Sequence, residues 1–157
     1  MAKQMPRLSR GKTEVRDSPV HGKGVFAKRP IAEGEWLLEY KGELITSREA
    51  DRRMPEDPED PSHTFFFSLD HRYVIDANVR GNAARFVNHS CDGNCETEVV
   101  GRQVFIRAIR SIAPGEELAY DYHLQYDGRH TAAVKRRFAC RCGAPTCRGT
   151  MLAKKGR

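Results

Sequence analysis

Apolar residues recur in short runs separated by turn formers, the rhythm of strands more than of long helices. The segments "GVFAKRPI" (24–31) and "WLLEYKGELI" (36–45) predict two strands joined by "AEGE", where Gly34 suits a turn. Thr46 opens "TSRE", a capping box in which the Thr46 side chain accepts from the Glu49 N–H while Glu49 reaches back, so a short helix from about Ser47 to Met54 is expected. Pro55, Pro58 and Pro61 then interrupt regular structure, and the acidic "PEDPEDP" between them must be exposed. "TFFFSL" and "RYVIDA" predict a hairpin around Asp70-His71, and "GNAARFVN" a brief helix. "TEVVGRQVFIRAI" predicts a second hairpin with Gly101-Arg102 as its two-residue turn. "APGE" predicts a type II turn leading into the strand "ELAYDY". With no repeat or heptad pattern, the chain is expected to be a mostly β domain with small helical inserts.

Length and composition narrow this further. At 157 residues, 39% hydrophobic and 31% charged, the chain suits one globular domain. No apolar run approaches the roughly 18 residues of a membrane span, so no membrane partner is expected. "MAKQMPRLSRGK" lacks the apolar stretch of a secretory signal, which predicts an intracellular protein, cytoplasmic or nuclear, with reduced thiols. The net charge of +6 is carried at the ends: Lys3, Arg7, Arg10, Lys12, Lys154, Lys155 and Arg157 contribute seven positive charges, leaving residues 13–153 at −1. A body built to grip nucleic acid is therefore not indicated, although the basic tails allow weak contact with it.

Five cysteines offer the first specific chemistry. Cys140, Cys142 and Cys147 form "CRCGAPTC", a tight loop shaped by Gly143 and Pro145 that points several sulfurs at one centre, as thiolate zinc coordination requires. Cys91 is the natural fourth donor, because a closed structural site takes four protein ligands. The alternatives are reduced buried thiols at Cys91 and Cys95 and a disulfide within 140–147, although Cys140 and Cys142 are poorly spaced to bridge each other. Joining Cys91 to the C-terminal loop would lay the tail over the neighbouring "NHS" segment and make the metal one wall of any site there.

Together "HGKGVFA" (21–27), "YKGE" (40–43), "GNAARFVNHSC" (81–91), "ELAYDY" (117–122) and "CRCGAPTCRG" (140–149) resemble, in family order, a SET-domain protein-lysine N-methyltransferase with a C-terminal post-SET segment. The resemblance implies a basic tail over 1–12, a SET domain over 13–123 with an insert at about 46–64, a connector over 124–139, a post-SET zinc loop over 140–152 and a basic tail over 153–157. It also implies a fold of small curved sheets with a pseudoknot, in which the Asn88-His89 and Tyr122 segments thread one through a loop closed by the other.

What the resemblance implies about chemistry is equally specific. The main chain of His21, Gly22, Lys23 and Gly24 would meet S-adenosylmethionine, with Asn88 and His89 holding its two ends. No helix follows the Gly-x-Gly, which argues against a dinucleotide fold. Phe65 stands where many relatives carry a tyrosine near the cofactor, and Phe138 and Arg141 lie where post-SET residues close over it. Tyr122 is the expected catalytic residue and orients a lysine amine, while the Tyr120 hydroxyl limits rotation of a methylated amine and so predicts mainly monomethylation. The expected partner is a basic lysine-containing protein or tail, histone-like, and the expected state is a monomer; the acidic Glu56, Asp57, Glu59 and Asp60 read either as an attractant for such a substrate or as a solvated spacer. The competing reading is a non-catalytic SET-fold module that binds peptide or nucleic acid. A small zinc-binding DNA protein is disfavoured by the near-neutral body.

Overall fold

The computed structural model describes residues 4–53, 65–125 and 128–154. Strands β1 (Thr13–Asp17) and β2 (Lys23–Ala27) form an antiparallel pair, Thr13 opposite Ala27 and Asp17 opposite Lys23. Strand β1 is largely exposed and carries no apolar alternation, so the sequence reading missed it. Val25, Phe26 and Ala27 of β2 are all buried because the strand is covered on its other edge too: Leu118 N–H donates to Val25 O at 2.8 Å and Ala27 N–H to Glu116 O at 2.9 Å.

The expected strand "WLLEYKGELI" is in fact two. β3 (Trp36–Glu39) pairs with the later strand over Gln103–Ala108, whereas β4 (Glu43–Thr46) belongs to another sheet. The break falls at Tyr40–Gly42, where a Cβ on Gly42 would lie 2.5 Å from the Asp76 carbonyl oxygen. Only glycine permits that approach, and the chain changes sheets there.

Helix α1 (Ser47–Arg53) follows β4, and Thr46 Oγ1 accepts from Glu49 N–H at 3.1 Å as a cap should. The reciprocal half of the box is replaced. The Glu49 carboxylate instead accepts from Nε of Arg52 and of Arg53, each at 2.8 Å. Arg53 Nη1 also donates to Glu43 at 2.9 Å and to buried Asp76 at 3.0 Å, tying the helix to its sheet. The predicted helix end at Met54 and the acidic stretch with Glu56, Asp57, Glu59 and Asp60 lie outside the described residues.

The expected hairpin around Asp70-His71 is β5 (Phe66–Ser68) and β6 (Tyr73–Asp76), with β6 central in the order β4-β6-β5. "GNAARFVN" forms a 3-10 turn over Ala83–Phe86, and Asn82 anchors it by donating to Glu39 O at 2.9 Å. Next come β7 (Asn88–His89) and the long hairpin of β8 (Cys95–Val100) and β9 (Gln103–Ala108). That hairpin turns at Gly101, whose φ of 63° a Gly-first turn needs. Gly115, at φ 90°, sits in the predicted Pro-Gly turn, with Glu116 N–H donating to Ala113 O at 3.1 Å.

β10 (Ala119–Tyr120) runs parallel to β7, Ala119 beside Asn88 and Tyr120 beside His89. This pairing brings together the two segments whose crossing the family resemblance implies. It is anchored by the core. Leu118 is fully buried with Val25, Val87, Ile106 and Ile112, and burying each such side chain stabilises the fold by about 1.5–3 kcal/mol. Beyond β10, α2 (Ala132–Arg137) is capped by Thr131, whose Oγ1 accepts from Val134 N–H at 3.2 Å. The tail then returns, with Leu124 bridging Leu152 and Ala139 bridging Thr150. Among the described residues no helix is long and apolar enough to cross a membrane.

Candidate active site

The β7–β10 pair fixes the site because it places Asn88 and His89 beside the chain entering Tyr122. Asn88 Nδ2 lies 3.2 Å from His21 O, 3.1 Å from Lys23 O, 3.2 Å from Ser18 Oγ and 2.8 Å from Glu117 Oε2. Two amide hydrogens are thus shared among four acceptors. Ser18 closes the loop from within, since its hydroxyl donates to Glu117 at 2.8 Å, accepts from Val20 N–H at 3.0 Å, and its own N–H donates to Gly22 O at 2.8 Å. Gly22 has φ 45°, and a Cβ on Gly24 would stand 2.4 Å from Glu117 Oε2. The "HGKG" glycines therefore let a carboxylate and an amide close on the loop. Ser18 and Glu117 were not among the expected site residues; the only available signal was the position of Glu117 at the head of "ELAYDY".

His89 is buried, and its Nδ1 accepts from Tyr122 N–H at 3.0 Å. That bond assigns the ring proton to Nε2, which points at Cys91 Sγ 3.5 Å away. Burial pushes the imidazole down to about 4 against the opposing pull of Asp121, so it is neutral at physiological pH. Tyr122 is half-buried, and its hydroxyl donates to Val87 O at 2.5 Å. With its proton directed there, the phenol oxygen presents lone pairs to anything that approaches. Burial raises the phenol above its ordinary range.

Around Tyr122 lies an aromatic group. Its ring centroid is 5.1 Å from that of buried Tyr120 and 5.3 Å from that of His89, and Tyr40 lies 5.3 Å from Phe67. Burial also raises Tyr40 and Tyr120, so all three phenols remain protonated. Tyr40 and Phe67 went unassigned in the sequence reading because strand aromatics at those positions read equally well as core.

The sulfurs of Cys91, Cys140, Cys142 and Cys147 all lie within 4.8 Å of one another. Cys91 and Cys140 are 3.7 Å apart, close to the roughly 3.8 Å edge of a tetrahedron with 2.3 Å zinc–sulfur bonds. Arg148 N–H donates to Cys91 Sγ and Gly149 N–H to Cys147 Sγ, both at 3.4 Å, which stabilises thiolates. The four cysteines fit a structural zinc ion. All are free thiols, so the disulfide alternative fails. Cys95 stands apart in β8, where burial pushes its thiol up to about 12. Arg148 adds a second clamp, a bidentate pair with Asp121 at 2.5 and 3.1 Å, immediately before Tyr122.

A cavity of about 360 Å³ opens where these parts meet, with His21, Asn88, His89, Tyr122, Cys140 and Arg141 on its wall. A second, of about 370 Å³, shares Asn88 and His89 and runs beneath the Cys142–Pro145 stretch. Of the other expected residues, Lys23 and Gly24 stand behind the wall against Asn88 and Glu117. Phe138 ends α2, its carbonyl accepting from Met151 N–H at 2.7 Å. Phe65 packs edge-on to Phe86 at 5.7 Å beneath the Arg85 guanidinium, away from this cavity. Among the described residues Arg85 pairs with no acid; it stacks on Phe86 and donates to Ala77 O.

The family model described as SET domain matches residues 22–123. The chain belongs to the SET-domain family. This SET domain is 38% identical over 135 residues to histone-lysine N-methyltransferase trithorax of Drosophila virilis, a match covering 83% of this chain and 3% of that protein. It is 36% identical over 150 residues to histone-lysine N-methyltransferase 2B of Homo sapiens, covering 93% and 5%. The H3 lysine-4 specific histone-lysine N-methyltransferase of Schizosaccharomyces pombe is 38% identical over 137 residues, covering 84% and 14%. The chain therefore spans a small part of the length of each of these relatives. Among solved structures, one described as ctPRC2 in an autoinhibited conformation bound to S-adenosylmethionine matches with TM-score 0.64 at 34% identity, over 70% of this chain and 15% of that one.

Proposed function

We propose that this SET domain transfers a methyl group from S-adenosylmethionine to the side-chain amine of a protein lysine. The observation that carries the reading is the cavity itself, which gathers Asn88, His89 and Tyr122 under a loop pinned to Cys91. Its volume lies in the range of small-molecule sites. Arg141 on its wall suits the carboxylate end of the donor. When bound, S-adenosylmethionine supplies an electrophilic methyl group on a sulfonium.

The residues of the chain orient and desolvate. Asn88 holds the His21 and Lys23 carbonyls and thereby sets the Gly22–Gly24 backbone against the donor. His89, neutral and bonded to the Tyr122 N–H, fixes the turn that aims the Tyr122 ring. Phe138 and Arg141 close the post-SET side, whereas Phe65, packed on Phe86 away from the cavity, takes no part in holding the donor. Cys91, Cys140, Cys142 and Cys147 would hold a zinc ion, which would staple that side to the segment after β7 and supply no chemistry at the methyl group.

A lysine amine has an unperturbed pKa near 10.4 and must lose its proton before it can attack. Desolvation beside the packed Tyr40, Phe67, Tyr120 and Tyr122, together with the like charge of a bound donor, would disfavour the ammonium. Tyr122, whose proton is committed to Val87 O, accepts with its oxygen and positions the amine for in-line displacement; it acts by placement and not as a base. Tyr120, buried beside it, keeps one face of the amine occupied, so the product is mainly monomethyl-lysine. The substrate is a basic protein, with a histone tail favoured by the names of the relatives, and the site of action is then the nucleus. The domain works as a monomer, and its basic tails make weak contact with nucleic acid.

The test is incubation of the full chain with zinc, methyl-labelled donor and histone H3, with a cell lysate as a second substrate pool and Tyr122→Phe as control. Label in protein lysine that disappears in the variant supports the reading. Donor binding without label in either pool would assign the fold to binding alone.

A further inference from the structure

We propose that α2 and the loop after it form a docking face for the phosphate backbone of a nucleic-acid duplex. The near-neutral body hides a partition of charge. Residues 13–123 hold 14 Lys and Arg against 20 Asp and Glu, a net of −6, whereas residues 124–157 hold 9 against the single acid Asp127, a net of +8. No acid occurs anywhere between Gly128 and Arg148.

The structure shows what becomes of these cations. Elsewhere cations and acids are interspersed, and several are matched, as in Lys12–Glu35 and Lys23–Asp17 at 2.6 Å and Arg53–Asp76 at 3.0 Å. Arg148 is likewise spent on Asp121. Arg129, Lys135, Arg136, Arg137 and Arg141 are all exposed and form no ion pair among the described residues. Three of them sit in consecutive positions on α2, which buries none of its own residues. An unneutralised field of this sign raises the local concentration of a polyanion and releases its counterions on contact.

Two absences select the polyanion. The large exposed hydrophobics, Met5, Val15, Leu44, Val79, Val99 and Ile109, all lie outside residues 128–154, so among the described residues this face has no large apolar anchor for a protein interface or a membrane. Its one aromatic residue is half-buried Phe138, so it has no stacking platform for the bases of a single strand. A duplex backbone requires neither, and the four guanidinium forks match phosphate geometry. Arg136, Arg137 and Arg141 also border the 360 Å³ cavity, so the duplex would lie at its mouth. On the transferase reading, this presents to Tyr122 the lysines of a basic protein that itself travels on nucleic acid.

The experiment measures fluorescence anisotropy of a labelled 20-base-pair duplex of mixed sequence against the full zinc-loaded chain, without donor. It is run in a background with Lys3, Arg7, Arg10, Lys154, Lys155 and Arg157 all changed to glutamine, so that the tails are silent. Five phosphate contacts predict a log–log salt slope near −4.5, or an affinity loss of about 500-fold between 50 and 200 mM salt. Arg129→Gln with Lys135→Gln, both off the cavity wall, is expected to bring the slope near −2.7 and the loss to about 40-fold. Silencing the tails alone abolishing duplex binding would overturn the proposal, as would an unchanged slope in the double variant, or equal affinity for polyglutamate. None of these outcomes bears on methyl transfer, which is read separately.

Discussion

Asn88 Nδ2 donates to Glu117 Oε2 at 2.8 Å across the β7–β10 pair, and the same amide lies against the carbonyls of His21 and Lys23. One carboxylate thus sets the orientation of the amide that holds the His21–Lys23 loop. Glu117→Gln removes the charge and leaves one amide oxygen where two carboxylate oxygens accept from Ser18 and Asn88, at a cost of about 1.5–3 kcal/mol. On the proposed reading, in which the loop meets donor and not lysine, the expected result is a rise of about tenfold or more in the KM for S-adenosylmethionine with kcat little changed. Initial-rate kinetics would refute this if kcat alone fell.

Tyr122→Phe removes the hydroxyl that bonds Val87 O and faces the cavity. Turnover should fall about 100-fold or more from lost placement. The thermal midpoint should drop by only a few degrees, since one hydrogen bond contributes about 1 kcal/mol. Parallel rate and circular dichroism measurements separate the two effects; a collapse of the fold would remove the catalytic inference.

Tyr120→Phe leaves the buried ring and takes away only its oxygen. Mass spectrometry of product from excess donor should shift from mainly monomethyl toward di- and trimethyl-lysine. Trimethyl-lysine as the chief product of the unaltered chain would contradict the assignment.

Zinc removal tests the staple. Elemental analysis should find one zinc per chain, lost in Cys91→Ser and Cys147→Ser and retained in Cys95→Ser, because Cys95 stands apart from the cluster. A strong chelator should abolish donor binding by calorimetry while the sheet core still melts cooperatively, since metal binding orders only the C-terminal loop. Undiminished donor binding after chelation would separate the metal from the site.

Acid sensitivity of α1 follows from Glu49. Its hydrogen bonds from Arg52 and Arg53 hold the carboxyl near 2, below its ordinary 4.5. A depressed folded-state pKa contributes stability above pH 4.5 that is lost as pH falls toward 2. Arg53→Ala should lower the urea midpoint at neutral pH by exposing the loss of partners for Asp76 and Glu43, and should flatten the fall between pH 4.5 and 2. A pH profile parallel to that of the unaltered chain would show that these contacts do not couple to folding.

The hairpin at Gly101-Arg102, the turn at Gly115 and the Thr46 cap were legible because each depends on neighbours within four residues. "WLLEYKGELI" misled because its apolar run is continuous, and the reason it breaks, the Asp76 carbonyl against Gly42, lies 34 positions along the chain. The Glu49 half of the capping box was lost to Arg52 and Arg53, whose guanidinium donors outcompete a backbone N–H. Cysteine chemistry carried further than geometry: three thiols with the right local spacing, and Cys91 as the fourth donor a closed site requires, were legible before their sulfurs were seen to converge.

By itself, then, the sequence determined local conformation and the identity of reactive groups, since both depend on residue chemistry and short spacings. Tertiary structure alone decided which groups face one another: Ser18 and Glu117 on Asn88, Val87 O on Tyr122, Arg148 on Asp121, and an unpaired run of cations on α2. Those relations follow from burial of Leu118, Val25 and Val87 in a common core, which brings distant backbone into register. Hydrophobic burial is proportional to area and indifferent to sequence distance, so it fixes partners that no local pattern specifies.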